Sequence, residues 1–188
     1  MRRNKINCRY CNSSLGKSVF DLGHQPLSND YLKKNELEQN EVYLPLKLFL
    51  CNCCGLLQVP AYKSSLEVFK DDYAYLSSTS KTLTNHAKSF VSNVIKDLKL
   101  NSSSFVIEIA SNDGYLLEHV LRKNIPCLGV EPTKLAASIS KKKKINTIIK
   151  FFGYELSKEI VEKYKKSDLI IANNVLPHVP DINDFLKG

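Results

Sequence analysis

No stretch of the 188-residue chain stays apolar for the roughly 18 to 20 residues that a bilayer span requires. The opening MRRNKINCRYC also lacks the apolar centre of a secretory signal. These two absences lead to the expectation of a cytoplasmic protein with no membrane partner. Glycine is scarce, seven in all, and nowhere do the glycines fall into the G-x-G-x-x-G pattern of a dinucleotide-binding loop. Residues 1 to 60 show no βαβ pattern, so a thioredoxin-like redox role for a cysteine pair there lacks its context.

What is present is globular. Hydrophobic residues make up 43% and charged residues 24%, enough for one ordinary core plus a small satellite domain. The net charge is +8, of which residues 1–72 hold +2 and residues 73–188 hold +6. Much of the second surplus is the run Lys141 to Lys144. Lysines favour the C-terminal end of a helix, so the run reads as a solvated helix end, with attraction of a phosphate as the other option. The N-terminal part is nearly neutral, which disfavours a nucleic-acid partner, because phosphate binding depends on clustered Lys and Arg.

Six cysteines occur, and four of them form Cys8-x-x-Cys11 and Cys51-x-x-Cys54. Two such pairs present four thiolates to one tetrahedral Zn²⁺, since each tight turn aims both sulfurs at a common centre. A reducing compartment argues against disulfides. Four ligands leave no open position, so the expected metal is structural and does no chemistry. The 39 residues between the pairs exceed the usual zinc-ribbon spacing and leave room for a hairpin or other excursion. Cys53 is then spare, and Cys127, in the apolar PCLGVE, reads as a core residue.

Beyond the cysteines, Leu83, Ala87, Phe90, Val91, Val94, Ile95 and Leu98 recur at helical spacing, which predicts an amphipathic helix over 80–98. Strands and helices then alternate. A strand lies in SFVIEIA (104–110), followed by a helix over 113–123 and a strand over 126–131. A helix over 133–144, a strand over 147–152, a helix over 155–166 with Leu156, Ile160, Val161 and Tyr164 on one face, and a strand over 168–174 complete the series. Such alternation predicts an α/β fold with a Rossmann-like parallel sheet, behind a zinc-binding domain over 1–72, with 73–188 as the second domain. Four strands are fewer than a doubly wound sheet needs to flank its first strand on both sides, so the expectation is the N-terminal part of a longer domain.

The first strand leads into EIASNDGYLL (108–117), the turn at which such sheets bind ligands. Glu131, seventeen residues after Gly114 and at the end of the second strand, is placed to accept hydrogen bonds from ribose hydroxyls. It could equally be an acidic surface residue after a strand. Without a pyrophosphate to cradle, a turn with one glycine suffices, which favours an adenosine-type ligand.

The strings EIASNDGYLLEHV, GVEP and DLIIANNVLPHVPDINDFLKG resemble the class I S-adenosylmethionine-dependent sugar C-methyltransferases that carry an N-terminal zinc-binding domain. So do CRYC, DLGHQPLSNDYL, YLPLKLFLCNCCGLLQV and DDYAYLSSTSKTLTNH, in that order, so the resemblance covers essentially the whole chain. It implies that Glu108, Ala110, Asn112 and Gly114 lie against the methionine part of S-adenosylmethionine, that Glu131 holds its ribose, and that Ala172, Asn173 and Asn174 line the same pocket. It also implies that Tyr75, with Tyr73 close by and Ser77 and Ser78 following, and His178 face a nucleotide-linked keto-sugar, where Tyr75 and His178 donate or relay protons. Packing roles are the alternative for the tyrosines, and a loop role for His178.

The implied reaction removes a proton beside a ketone and methylates the resulting enolate carbon, which requires a base, a donor to the enolate oxygen and tight positioning. The family's main base lies in a Glu-His motif after the fourth strand, and no such motif occurs in these 188 residues. The expectation for this chain alone is weak cofactor binding and no turnover. The alternatives are a non-catalytic zinc-binding interaction module, and methyl transfer to oxygen or nitrogen on the same fold.

Overall fold

The computed structural model describes residues 6–188. The chain divides into two compact units. One covers residues up to Val68 together with Pro177–Asn183, and the other covers Phe69–Leu176 together with Asp184–Gly188. Residues 1–5 of the predicted first domain lie outside the described residues.

The first unit is built on an antiparallel sheet of three strands, β1 (Phe20–Pro26), β2 (Tyr43–Leu50) and β3 (Leu57–Gln58), in that spatial order. The long excursion between the two cysteine pairs therefore holds the β1–β2 hairpin. β2 runs directly into Cys51, and β3 follows the second pair, so the sheet brings the two halves of the cysteine set to one end. A short helix, α1 (Ser65–Val68), follows.

In the second unit α2 (Lys81–Asp97) starts where the Ser80 hydroxyl caps it by accepting from the Leu83 N–H at 3.2 Å. It buries Ala87 and Val91, while Leu98, counted above in the apolar stripe, is 51% exposed at the C-cap. Then β4 (Val106–Ile109), α3 (Leu117–Leu121), β5 (Cys127–Val130), α4 (Lys134–Lys142), β6 (Asn146–Ile148), α5 (Tyr154–Lys163), β7 (Leu169–Ile171) and α6 (Ile182–Lys187) follow. The four strands form one parallel sheet in the order β6-β5-β4-β7. This is the Rossmann-like α/β sheet that the alternation predicts. Every residue of β4 is buried, as befits a central parallel strand.

Several elements are shorter than the sequence suggests, each for a local reason. β6 stops at Ile148 because its only partner, β5, stops at Val130 opposite it, so 149–152 have no ladder to join. α3 begins at Leu117 rather than near 113, because Asn112 (φ 50°) and Gly114 (φ 74°) are left-handed and end any continuous right-handed helix. On α5, Leu156 and Ile160 are buried but Val161 is 45% exposed. The core gathers Ala87 and Val91 of α2 with Val106, Leu117, Val120 and Ile171, and Cys127 packs at its margin. Lys141 and Lys142 fill the last turn of α4 and Lys143 caps it. No helix among the described residues is long and apolar enough to cross a membrane.

Candidate functional site

The sulfurs of Cys8, Cys11, Cys51 and Cys54 all lie within 4.8 Å of one another. Cys8 and Cys54 are 3.7 Å apart, and Cys11 and Cys51 are 3.6 Å apart. Four thiolates about 2.3 Å from a tetrahedral Zn²⁺ stand roughly 3.8 Å from one another, so the donor set fits that ion in type, number and spacing. Both knuckles are built alike. The N–H of Asn12 donates to the Cys8 carbonyl at 3.0 Å and that of Gly55 to the Cys51 carbonyl at 2.9 Å. Asn12 (φ 59°) and Gly55 (φ 77°) each supply the left-handed residue that closes the turn.

Two polar residues that the cysteine spacing does not reveal complete the cluster. Gln58, buried at 3% exposure, donates through Nε2 to the Cys8 sulfur at 3.2 Å and accepts the Arg9 N–H at 2.9 Å. The Ser13 hydroxyl stands 3.1 Å from both the Cys11 and Cys51 sulfurs. Ser13 and the N–H groups of Cys54 and Cys53 hold the Cys51 thiol down at about 6. For Cys8, burial opposes ionisation, but the N–H groups of Cys11 and Tyr10 and the Gln58 amide bring the thiol below its ordinary range. A hydrogen-bonded shell of this kind orients thiolates and tunes the metal they hold. Cys53 is exposed and outside the cluster, and burial pushes the Cys127 thiol up to about 11.

The second constellation sits at the carboxyl end of the parallel sheet. β5 and β6 extend it to one side of β4, and β7 returns to the other, so the order reverses between β4 and β7. Ligands of open parallel sheets bind at such a reversal. It brings the turn after β4, residues 110–114, beside residues 172–174 after β7. The Asn173 side chain hydrogen-bonds the hydroxyl of Tyr115, a buried residue at the end of the same turn, and burial raises that phenol to about 12. Asn173 and Asn174 are exposed, and Asn174 is left-handed (φ 53°).

Ala110 (φ 56°), Asn112 (φ 50°) and Gly114 (φ 74°) make the turn left-handed at every second residue. Non-glycine residues in this region are strained by roughly 1–2 kcal/mol, which Asn tolerates best. Only at position 114 does space forbid a side chain. A Cβ there would stand 2.5 Å from Ile145 Cδ1 and 2.8 Å from Ser140 Oγ.

Three N–H groups of the turn are committed within the protein. Ser111 donates to the Val130 carbonyl, Gly114 to the Ser111 carbonyl, and Asn112 to Glu131 Oε2 at 2.9 Å. Glu131 is 4% exposed, and its Oε1 accepts from the Thr133 N–H at 2.9 Å and the Thr133 hydroxyl at 2.6 Å. Of the four or so bonds a carboxylate accepts, about one remains on Oε2. The Asn112 side chain is committed too: Oδ1 accepts from Ser77 N–H at 2.8 Å and Nδ2 donates to the Tyr75 carbonyl at 3.0 Å. Asp113, fully buried, accepts from Ser78 N–H at 3.2 Å. The turn thus fastens the Tyr75–Ser78 segment, whose Tyr75 ring is half exposed.

Glu108 lies inside β4 at 1% exposure rather than at the strand's end, and its Oε2 has no partner. Burial, then the charges of Glu131 and Asp113, raise its carboxyl well above the usual range. Three carboxyl groups therefore crowd beneath one turn. Of the other residues singled out in the sequence, Tyr73 is partly buried beside Phe69. His178 is exposed and falls in the Pro177–Asn183 segment of the first unit.

Comparison with known proteins agrees with the zinc reading of the first constellation. Residues 8–69 match the protein family described as "Putative zinc binding domain". Over 181 residues, 96% of this chain and 43% of the other, the sequence is 25% identical to C-methyltransferase NovU of Streptomyces niveus. The chain as a whole is thus similar to a C-methyltransferase, behind a segment that matches a zinc-binding domain. A second relative, the ubiquinone biosynthesis O-methyltransferase of Pelagibacter ubique (strain HTCC1062), is 28% identical over 101 residues, 50% of this chain and 42% of that protein. The chain spans less than half the length of the curated relatives it matches.

Proposed function

We propose that this chain belongs to an enzyme that moves a methyl group from S-adenosylmethionine to a carbon beside a ketone on a nucleotide-linked sugar. The observation that carries the reading is the turn after β4. Its backbone is left-handed at three alternate residues, the N–H groups of Ser111, Asn112 and Gly114 are already spent, and three buried carboxyls lie beneath it. A pyrophosphate would meet the like charge of Glu131 and Asp113 there, whereas a ligand bearing a sulfonium and an ammonium would meet attraction.

When bound, S-adenosylmethionine supplies an electrophilic methyl on a positively charged sulfur. The protein's own groups would do the rest. Glu131 takes a ribose hydroxyl with the acceptor capacity left on Oε2, and its bond to Asn112 N–H keeps the carboxylate aimed. Ala110, Gly114, Asn173 and Asn174 are the residues proposed to lie against the cofactor at the strand-order reversal, and burial favours the protonated form of Glu108 beneath it. Tyr75 and His178, each in its own unit, are the residues proposed to donate or relay protons. The zinc holds the first unit in shape and takes no part in the chemistry.

Incubation with S-adenosylmethionine carrying a ¹³C-labelled methyl and a nucleoside-diphosphate keto-sugar tests this, with the product examined by carbon NMR. A carbon-bonded methyl is the expected result. An oxygen-bonded methyl would favour the second reading, transfer to oxygen, which the O-methyltransferase match supports. Calorimetric titration with S-adenosylmethionine separates binding from turnover: no heat even at millimolar cofactor would remove the cofactor from the reading for this chain.

A further inference from the structure

The two residues inside the first zinc knuckle, Arg9 and Tyr10, do more than space the cysteines. Arg9 Nη1 donates to the Val179 carbonyl at 3.0 Å and Nη2 to the Pro177 carbonyl at 3.4 Å. These carbonyls flank His178 on either side. The Tyr10 carbonyl accepts from Asn183 Nδ2 at 2.8 Å. One knuckle therefore grips a seven-residue segment near both ends, and all of these residues belong to the same compact unit.

We infer that Arg9 is a positioning residue, through which the zinc knuckle sets the backbone on both sides of His178. The path is continuous. Gln58 bonds the Cys8 sulfur with Nε2 and the Arg9 N–H with Oε1, so the residue that orients one thiolate also fixes the Arg9 main chain. From there the planar guanidinium reaches two acceptors at once, which a lysine ammonium on a single flexible stem does not reproduce. Loss of the metal frees the knuckle, and with it the anchor of the His178 segment. The grip itself is independent of the methyl-transfer reading. Its consequence for catalysis rests on that reading, since His178 earns its role there.

The test uses the whole chain as Arg9→Met and Arg9→Lys, with zinc content measured by atomic emission. Neither substitution removes a metal ligand, so each is expected to keep one zinc. Amide hydrogen exchange in a peptide spanning 177–183 is expected to quicken about tenfold in Arg9→Met, the loss of about 1.4 kcal/mol of local protection, and by less in Arg9→Lys. The His178 ring signal in a ¹H–¹³C spectrum is expected to shift in Arg9→Met and to return part-way in Arg9→Lys, while the ring signal of His119 on α3 stays in place. Chelation of zinc from the wild type is expected to reproduce the Arg9→Met pattern. Should Arg9→Met lose its zinc, Asn183→Ala, which leaves the knuckle whole, is expected to quicken exchange in the same segment by itself. Unchanged exchange and an unmoved His178 signal in a zinc-retaining Arg9→Met would overturn the inference. If both move while transfer to a keto-sugar nucleotide does not respond, the grip stands and the role of His178 falls.

Discussion

Asn112 and Tyr75 stand 37 positions apart and are joined by one hydrogen bond, from Asn112 Nδ2 to the Tyr75 carbonyl at 3.0 Å. The same side chain accepts the Ser77 N–H at 2.8 Å, so its amide works as a two-ended clamp between the turn after β4 and the tyrosine-serine segment. Asn112 also carries a left-handed backbone. Replacing it with Ala removes both hydrogen bonds and installs a residue less suited to that conformation, at a cost of roughly 2–4 kcal/mol. Replacing it with Gly restores the conformational freedom but not the clamp, so the cost falls to roughly 1–2 kcal/mol. Urea unfolding followed by circular dichroism checks the order; equal losses in the two variants would mean that the backbone plays no part.

Gly114 tolerates no side chain. A Cβ would meet Ile145 Cδ1 at 2.5 Å and Ser140 Oγ at 2.8 Å, and φ is 74°. Gly114→Ala is expected to cost roughly 2–4 kcal/mol, strain and overpacking together. Thermal melting of the variant beside the wild type measures it, and a shift within error would contradict the packing described.

Thiol chemistry reports the metal centre. With zinc bound, the exposed Cys53 is the one cysteine expected to react readily with a thiol reagent at pH 8, on accessibility, because Cys11 holds its thiol up; Cys127 is both packed and held up near 11. Chelation is expected to bring the fast-reacting count to five. Two fast thiols before chelation would show that Cys127 is accessible or that one of the four clustered cysteines is not a ligand.

Gln58 is expected to matter to the metal although it is not a ligand. Gln58→Leu removes the hydrogen bond to the Cys8 sulfur and leaves the Arg9 N–H without its acceptor. Zinc affinity, measured by competition with a chromogenic chelator, is expected to fall by about 10- to 100-fold. An unchanged affinity would mean that the thiolates hold their geometry without it.

Glu108 makes stability fall as the pH rises. Its folded carboxyl keeps a proton well above the range in which the unfolded chain loses it. Below the unfolded value both states are protonated and nothing is lost. Above it the unfolded chain ionises while the folded one does not, and stability declines until the folded group itself ionises. Glu108→Gln removes this dependence, so urea midpoints of variant and wild type should lie closer at pH 4 than at pH 7, with the variant gaining. Parallel midpoints across that range would mean that Glu108 is ionised in the folded protein.

The sequence by itself determined what depends on neighbours along the chain. Cys8-x-x-Cys11 and Cys51-x-x-Cys54 specify two knuckles, because a tight turn aims both sulfurs whatever surrounds it. The hydrophobic periods specify the alternating strands and helices, because burial repeats with the geometry of each element. Even 108–117, with its single glycine, was readable as the turn between the first parallel strand and its helix. Where β6 and β7 end depended instead on how far β5 and β4 reach beside them. The tertiary structure alone decided the partners across long separations: Gln58 on Cys8, Asn112 on Tyr75, Asn173 on Tyr115, and Arg9 on the carbonyls around His178. A polar side chain carries no mark of which distant group will satisfy it. That choice is made only when the chain topology buries it beside one, and a buried polar group must then find a partner or cost the fold its stability.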